Sequence, residues 1–261
     1  MSYTFYQVDA FTDALFKGNP AAVMKLDNFL PEEMMQSIAA ENNLAETAFV
    51  VPQGGYYLLR WFTPTLEADF CGHATVATAH VLQTVYDLKP PFRFDTLAGV
   101  LIVDFIDGFY VMDAPIIPAK AIPITEAMRQ ACPFPIEAAF WGAKNLFLVL
   151  TNVEDVERFI PDFEAIKSIS TDGVAITARG QNGYDCLSRY FAPLAGIPED
   201  PVTGSAHAAI GPYWAARLGK TKLKAYQASA RGGILWLDIG EDRLKISGHA
   251  VTYMKAEITG L

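Results

Sequence analysis

Charge is scarce in this chain. Charged residues fill 19% of its 261 positions, Lys and Arg form no run, and the formal net charge is −9. That balance argues against a surface for nucleic acid or anionic membrane. Cysteine is scarcer still. Cys71, Cys132 and Cys186 are odd in number and far apart, whereas a disulfide framework or zinc site shows close pairs. The four histidines, His73, His80, His207 and His249, include no H-x-x-x-H pair, so no metal is expected, and His80 reads as a core or helix-surface residue. No apolar run has the length that spans a bilayer. Met1-Ser2-Tyr3-Thr4 enters a strand pattern without a basic or apolar leader, so no signal peptide is expected. Phosphate-binding G-x-x-x-x-G-K-[ST], dinucleotide-binding G-x-G-x-x-G and the G-x-S-x-G nucleophile turn are all missing. The expectation is a soluble, cytoplasmic protein with no cofactor and a site made of acids, bases and helix ends.

What the chain does have is a 51% apolar fraction, ample for a packed core, and a pattern that repeats. Arg60-Trp61-Phe62-Thr63-Pro64 is followed by Asp69-Phe70-Cys71-Gly72-His73-Ala74-Thr75. Arg189-Tyr190-Phe191-Ala192-Pro193 is followed by Asp200-Pro201-Val202-Thr203-Gly204-Ser205-Ala206-His207. Each copy is an aromatic strand ending near Pro, then a Gly that opens an Ala-rich helix. Other pairs recur in the same order: Gly18-Asn19 and Lys144-Asn145, each before a strand, and Phe29-Leu30-Pro31-Glu32 and Phe159-Ile160-Pro161-Asp162, each opening a helix. Ala45-Glu46-Thr47 corresponds to the stretch at Val174-Ala175-Ile176, and the strand after Gly99 to the one after Gly233. The chain reads as a tandem duplication of a strand-rich unit.

In each unit the Ala-rich helix is apolar nearly all round (Ala74, Val76, Ala77, Ala79, Val81 and Leu82 in the first copy), so most of its sides must be buried. With about six strands around it, the economical arrangement is a strongly curved, barrel-like sheet wrapped around a central helix. The fold class is therefore α+β. The prolines of Ala114-Pro115-Ile116-Ile117-Pro118 mark a linker, giving domains at 1–114 and 119–261, with the last strand near 249–259 placed to pack back on the first domain.

Glu46 is the sharpest candidate for chemistry. It precedes an apolar strand, and its counterpart is apolar, Ala175 or Ile176. A carboxylate in such surroundings is desolvated, which favours uptake of a proton. A strand-edge Glu in water is the competing reading, because full burial of Glu is rare. His73, in the first turn of the buried helix, is placed to donate to a substrate or relay a proton. Ser205 matches it in the second copy, where a helix cap alone would also explain it. Asp200 precedes Pro201, which makes its backbone extended. The N–H groups beyond Gly72 and Gly204, through Ala74 and Ala206, form two candidate anion sites for a substrate carboxylate. Two such turns suggest a cleft made from two related halves. Asn19, Arg60, Arg189 and Arg231 are further candidate contacts. Cys71 precedes Gly72 as Thr203 precedes Gly204, and a thiol at a helix N-terminus can gain acidity; a small buried hydrophobe is the alternative.

At these residues the chain resembles the PhzF-like family, the phenazine-biosynthesis isomerases and their relatives. The resemblance spans essentially the full length. It rests on Val8-Asp9-Ala10-Phe11, Gly18-Asn19-Pro20-Ala21-Ala22-Val23, Asn43-Leu44-Ala45-Glu46-Thr47-Ala48-Phe49, Cys71-Gly72-His73-Ala74-Thr75, and the run from Glu199 to His207. It implies a fold like diaminopimelate epimerase, two barrels each around a helix, and a homodimer. It also implies that Glu46 is the acid/base, with His73, Asp200 and Ser205 as active-site partners and a small carboxylate such as a dihydro-hydroxyanthranilate as substrate. One departure is Ala45, where the family often has Ser. Two rivals stand beside this expectation. One is a Cys71-dependent racemase, epimerase or dehydratase, although Thr203 cannot serve as a second thiolate. The other is a non-catalytic small-molecule binder.

Overall fold

The computed structural model describes residues 2–170 and 172–260. They form two compact units, Met1–Asp113 with Ser247–Leu261, and Ala114–Ile246. In the first unit the elements are β1 (Ser2–Ala10), β2 (Asn19–Lys25), α1 (Glu32–Asn42), β3 (Glu46–Pro52), β4 (Tyr57–Phe62), β5 (Glu67–Ala68), α2 (Gly72–Thr84), β6 (Phe92–Thr96), β7 (Gly99–Ile106) and β8 (Phe109–Pro115). The second holds β9 (Lys120–Ile122), α3 (Glu126–Ala131), β10 (Ile136–Gly142), β11 (Asn145–Leu150), α4 (Val153–Glu157), α5 (Phe163–Ile169), β12 (Val174–Arg179), β13 (Cys186–Ala192), β14 (Ile197–Asp200), α6 (Gly204–Leu218), β15 (Lys222–Gln227), β16 (Gly233–Ile239) and β17 (Arg243–Gly248). The last strand, β18 (Ala250–Thr259), pairs antiparallel with β1 over its whole length.

Strand pairing repeats the duplication seen in the sequence. In the first unit β1–β2 is antiparallel, β2–β3 parallel, β3–β4 antiparallel, β4–β6 parallel and β6–β7 antiparallel. In the second, β10–β11, β11–β12, β12–β13, β13–β15 and β15–β16 follow with the same senses in the same order. Short strands β5 and β14 lie antiparallel on β4 and β13, each just before its central helix. Even the outer neighbours correspond, β18 on β1 and β9 on β10, both antiparallel.

The central helices are buried as their composition requires. Every residue of α2 from Gly72 to Leu82 is buried, and the helix packs on β1, β2, β3, β7 and β18. Its threonines fit there because Thr75 and Thr78 donate their hydroxyls to the carbonyls of Cys71 and Ala74, at 2.6 and 2.7 Å. In the second unit α6 packs on β12, β15 and β16 and ends at Gly219, whose φ of 64° suits glycine. Helix α1 covers the opposite face of the first sheet. Met35, Ile38 and Ala39 meet Met24, Phe49 and Val51 there. Because strand side chains alternate, Asn19, Ala21 and Val23 of β2 and Glu46, Ala48 and Val50 of β3 point the other way, toward α2. That alternation is what aims Glu46 inward. Among the described residues no helix is long and apolar enough to cross a membrane.

Candidate active site

Three elements of the first unit converge at one point. β2 and β3 run parallel with Ala21 opposite Glu46, so Asn19 and Glu46 reach the same side near the start of α2. Gly18, with φ of 63°, makes the turn into β2; a Cβ there would stand 2.2 Å from the Ala10 carbonyl oxygen. His73, the second residue of α2, is buried between them. Its Nε2 lies 3.1 Å from Glu46 Oε2, and its Nδ1 lies 3.1 Å from Asn19 Nδ2. With the Asn19 amide donating, the proton of the neutral ring sits on Nε2 and faces the carboxylate. A second ring proton would require the amide to turn its oxygen toward Nδ1.

Cys71 Sγ lies 3.6 Å from Nδ1 and 4.0 Å from Nε2 of the same ring. Burial pushes the Cys71 thiol up to about 11, and the Glu46 carboxylate adds to the rise. Helix-end acidification is therefore overruled, and Cys71 is a thiol at neutral pH. Burial also works against a charged His73, but the Glu46 carboxylate 3.1 Å away favours the cation and holds the imidazole above its usual value. Glu46 keeps 9% of its surface; it is neither the solvated strand-edge residue nor fully sealed.

In the second unit Asp200 closes β14 and is 8% exposed. Thr203 donates its hydroxyl to Asp200 Oδ2 at 2.5 Å. Both are fixed by Gln227, at the end of β15 and wholly buried. Gln227 Oε1 accepts from the Thr203 N–H at 2.8 Å, and its Nε2 donates to the Asp200 carbonyl at 2.7 Å and to Thr203 Oγ1 at 3.2 Å. No sequence signal marked Gln227, which lies 24 residues beyond Thr203. Ser205 is half-buried in the second position of α6, and the capping position belongs to Thr203; Ser205 is not an ordinary helix cap. His207 bonds the Thr203 carbonyl through Nδ1 at 2.8 Å, the task Thr75 performs in α2, and its Nε2 lies 3.3 Å from Ser188 Oγ.

The site residues thus fall into two groups: Asn19, Glu46, Gly72, His73 and Ala74 in the first unit, and Asp200, Gly204, Ser205 and Ala206 in the second. Two arginines considered as substrate contacts are occupied otherwise. Arg60 grips Glu67 with two bonds of 2.6 Å and reaches Glu32. Arg189 grips Glu199 at 2.7 and 3.0 Å and donates to the Phe159 carbonyl. Each guanidinium lies 5.2 Å from a ring, Phe62 and Phe191 respectively, so the fork is itself part of the duplication. The register also settles the counterpart of Glu46. Ala175 pairs with Phe147, two residues after Asn145, as Glu46 pairs with Ala21, two residues after Asn19. At this position, therefore, only the first unit carries a carboxylate.

Paired strand-and-helix units of this order define an epimerase-like fold. A hydroxyproline epimerase from Agrobacterium vitis superposes with a TM-score of 0.63 over 98% of this chain and 92% of its own; at 10% identity it shares the fold alone. Much nearer is the crystal structure of a phenazine biosynthesis protein of the PhzF family from Enterococcus faecalis, with a TM-score of 0.95, 47% identity and 99% of both chains covered. An uncharacterized isomerase of Pseudomonas aeruginosa is 45% identical over 259 residues, 99% of each chain. The chain belongs to the phenazine biosynthesis-like protein family, which matches residues 8–256, and it is an isomerase of the PhzF type.

Proposed function

We propose that this isomerase moves a proton between carbons of a small carboxylate-bearing metabolite, cyclic or unsaturated and of the dihydro-hydroxyanthranilate kind, without a cofactor. The observation that carries this reading is the buried approach of Glu46 Oε2 to His73 Nε2, 3.1 Å apart. As a carboxylate, Glu46 takes a proton from one substrate carbon; as the neutral acid it returns that proton to another, so no atom is gained or lost. His73 steadies the carboxylate before and after transfer, and Asn19 holds the ring. The family resemblance supports Asp200 and Ser205 as groups that hold the substrate and assist. It also supports the backbone N–H groups of Gly72, Ala74, Gly204 and Ala206 as receivers of the substrate carboxylate. A homodimer and a cytoplasmic setting belong to the same reading; light scattering tests the first.

The thiol-dependent alternative is disfavoured by Cys71, which burial keeps protonated. The test is solvent-deuterium incorporation into a panel of cyclic and amino-acid carboxylates. Glu46→Gln should lower the exchange rate by roughly a thousandfold, the scale of general acid–base catalysis, with unchanged thermal unfolding. Full exchange in that variant would end the assignment.

A further inference from the structure

The second unit holds a cavity of about 350 Å³ apart from the residues assigned to isomerisation. Its lining comes from the start of β10 (Glu137), the ends of β11 and β12 (Leu150, Arg179) and the last turns of α6 (Trp214, Arg217, Leu218). Helix α6 opens at Gly204 and is 15 residues long, so about 20 Å of helix separates this cavity from the Gly204–Ser205 turn. The volume falls in the range of roughly 300–1,000 Å³ typical of small-molecule sites. In the first unit the matching place is filled. Counted from the glycine that opens each helix, Leu218 stands where Tyr86 does, and the Tyr86 ring has Lys25 Nζ 5.0 Å from its centroid and Tyr6 edge-on at 6.3 Å.

Two polar groups of the lining are open. Arg179 follows Thr177 on the face of β12 that meets α6, where the Thr177 hydroxyl accepts the Trp214 indole N–H at 3.0 Å. Among the described residues the Arg179 guanidinium has no hydrogen-bond, ion-pair or ring partner. Arg217 is occupied: it pairs with Glu137 Oε1 and lies 4.9 Å from the Tyr213 ring. That pair leaves Glu137 Oε2 without a partner among the described residues. An unpaired guanidinium, a carboxylate oxygen and the negative end of a helix dipole thus border one space.

We propose that this cavity binds a small apolar α-amino acid as its zwitterion. The Arg179 fork receives the carboxylate, which its planar donors match. The ammonium group goes to Glu137 Oε2 and the carbonyl end of α6, where positive charge is favoured. Leu150, Leu218 and the Trp214 indole, its N–H already used, line the cavity for the side chain. A simple anion is a poorer match because the same helix end repels it, and a simple amine leaves Arg179 unanswered. Binding here does not depend on the acid/base reading.

Calorimetric titration of the full chain with L-leucine tests this. Leucine should saturate one site with a Kd of roughly 0.1–1 mM. Leucinamide, which lacks the carboxylate, and 4-methylpentanoate, which lacks the ammonium group, should each bind about tenfold more weakly or worse. Arg179→Met should weaken leucine binding by about tenfold or more. Glu137→Gln should do the same and erase the advantage over 4-methylpentanoate. Both side chains are exposed, circular dichroism verifies folding, and two variants on different strands keep the test decisive if one misfolds. Glu46→Gln should bind leucine as the parent does, which separates this cavity from the isomerase site. Four results each overturn the proposal: no saturable binding by about 10 mM leucine, binding unmoved by Arg179→Met, binding lost in Glu46→Gln, or equal affinity for 4-methylpentanoate.

Discussion

At the scale of single residues, the chemistry turns on which buried groups hold protons. His73 is drawn toward its cation by the Glu46 carboxylate against the cost of burial, while burial keeps Cys71 as a thiol near 11. A base that takes a carbon-bound proton at neutral pH must be unprotonated there, which Cys71 is not. Cys71→Ser should therefore retain deuterium exchange within about tenfold of the parent, against the thousandfold loss expected for Glu46→Gln; an equal loss in both would restore the thiol reading. The burial of Glu46 was legible in the sequence because it is a lone acid at the head of an apolar strand with an apolar twin. Its neighbour Asn19 was only a loose candidate, since its contact with His73 spans 54 positions and exists only through the parallel β2–β3 register. Cys71 was ambiguous for a different reason. Helix position and burial act on a thiol with opposite signs, and only the packed surroundings reveal that burial wins.

At the scale of elements, the duplication was readable because turns and helix starts carry local signals. Pro31 and two acids announce α1, and Asn43, at φ 48°, ends it. Asp162 caps α5 by accepting from the N–H groups of Glu164 and Ala165. The Arg60–Glu67 and Arg189–Glu199 forks escaped notice because they join residues across strands. Gln227 escaped for the same reason, and it carries the more consequential job: it ties the loop before α6 to the end of β15. Gln227→Leu removes three hydrogen bonds and leaves the Thr203 N–H and Asp200 carbonyl without them. With each buried orphan worth about 1–3 kcal/mol, the loss of stability should be about 3 kcal/mol in chemical denaturation. Thr203→Ser should keep the hydroxyl bond to Asp200 and near-normal exchange, whereas Thr203→Val should reduce exchange clearly. Equal behaviour of the Ser and Val variants would detach Thr203 from the setting of Asp200.

At the scale of the whole molecule, each unit contains one histidine that is buried and neutral for structural reasons. His80 in α2 meets the Tyr110 hydroxyl at 3.0 Å and the Thr252 hydroxyl at 2.9 Å, so it links β8 and β18, which lie far apart in sequence. His207 bonds the N-cap carbonyl of α6. Burial lowers both to about 4 from the ordinary 6.5, although the Thr203 carbonyl acts in the opposite direction on His207. The sign follows from which state binds the proton. Between pH 6.5 and 4 the unfolded chain protonates these rings and the folded chain does not. Stability is thus full above 6.5 and falls as pH drops toward 4. His73 behaves in the reverse sense: its contribution is full below the ordinary value and fades as pH rises through its raised one, so it adds no slope in the acid window. Two protons taken up on unfolding amount to about 3 kcal/mol per pH unit near pH 5. Urea denaturation between pH 7 and 5 should show that decline. His80→Gln and His207→Gln should each remove about half of it, whatever they do to stability at pH 7. A slope unchanged in both variants would mean that the rings titrate freely in the folded chain, which their burial and bonding oppose.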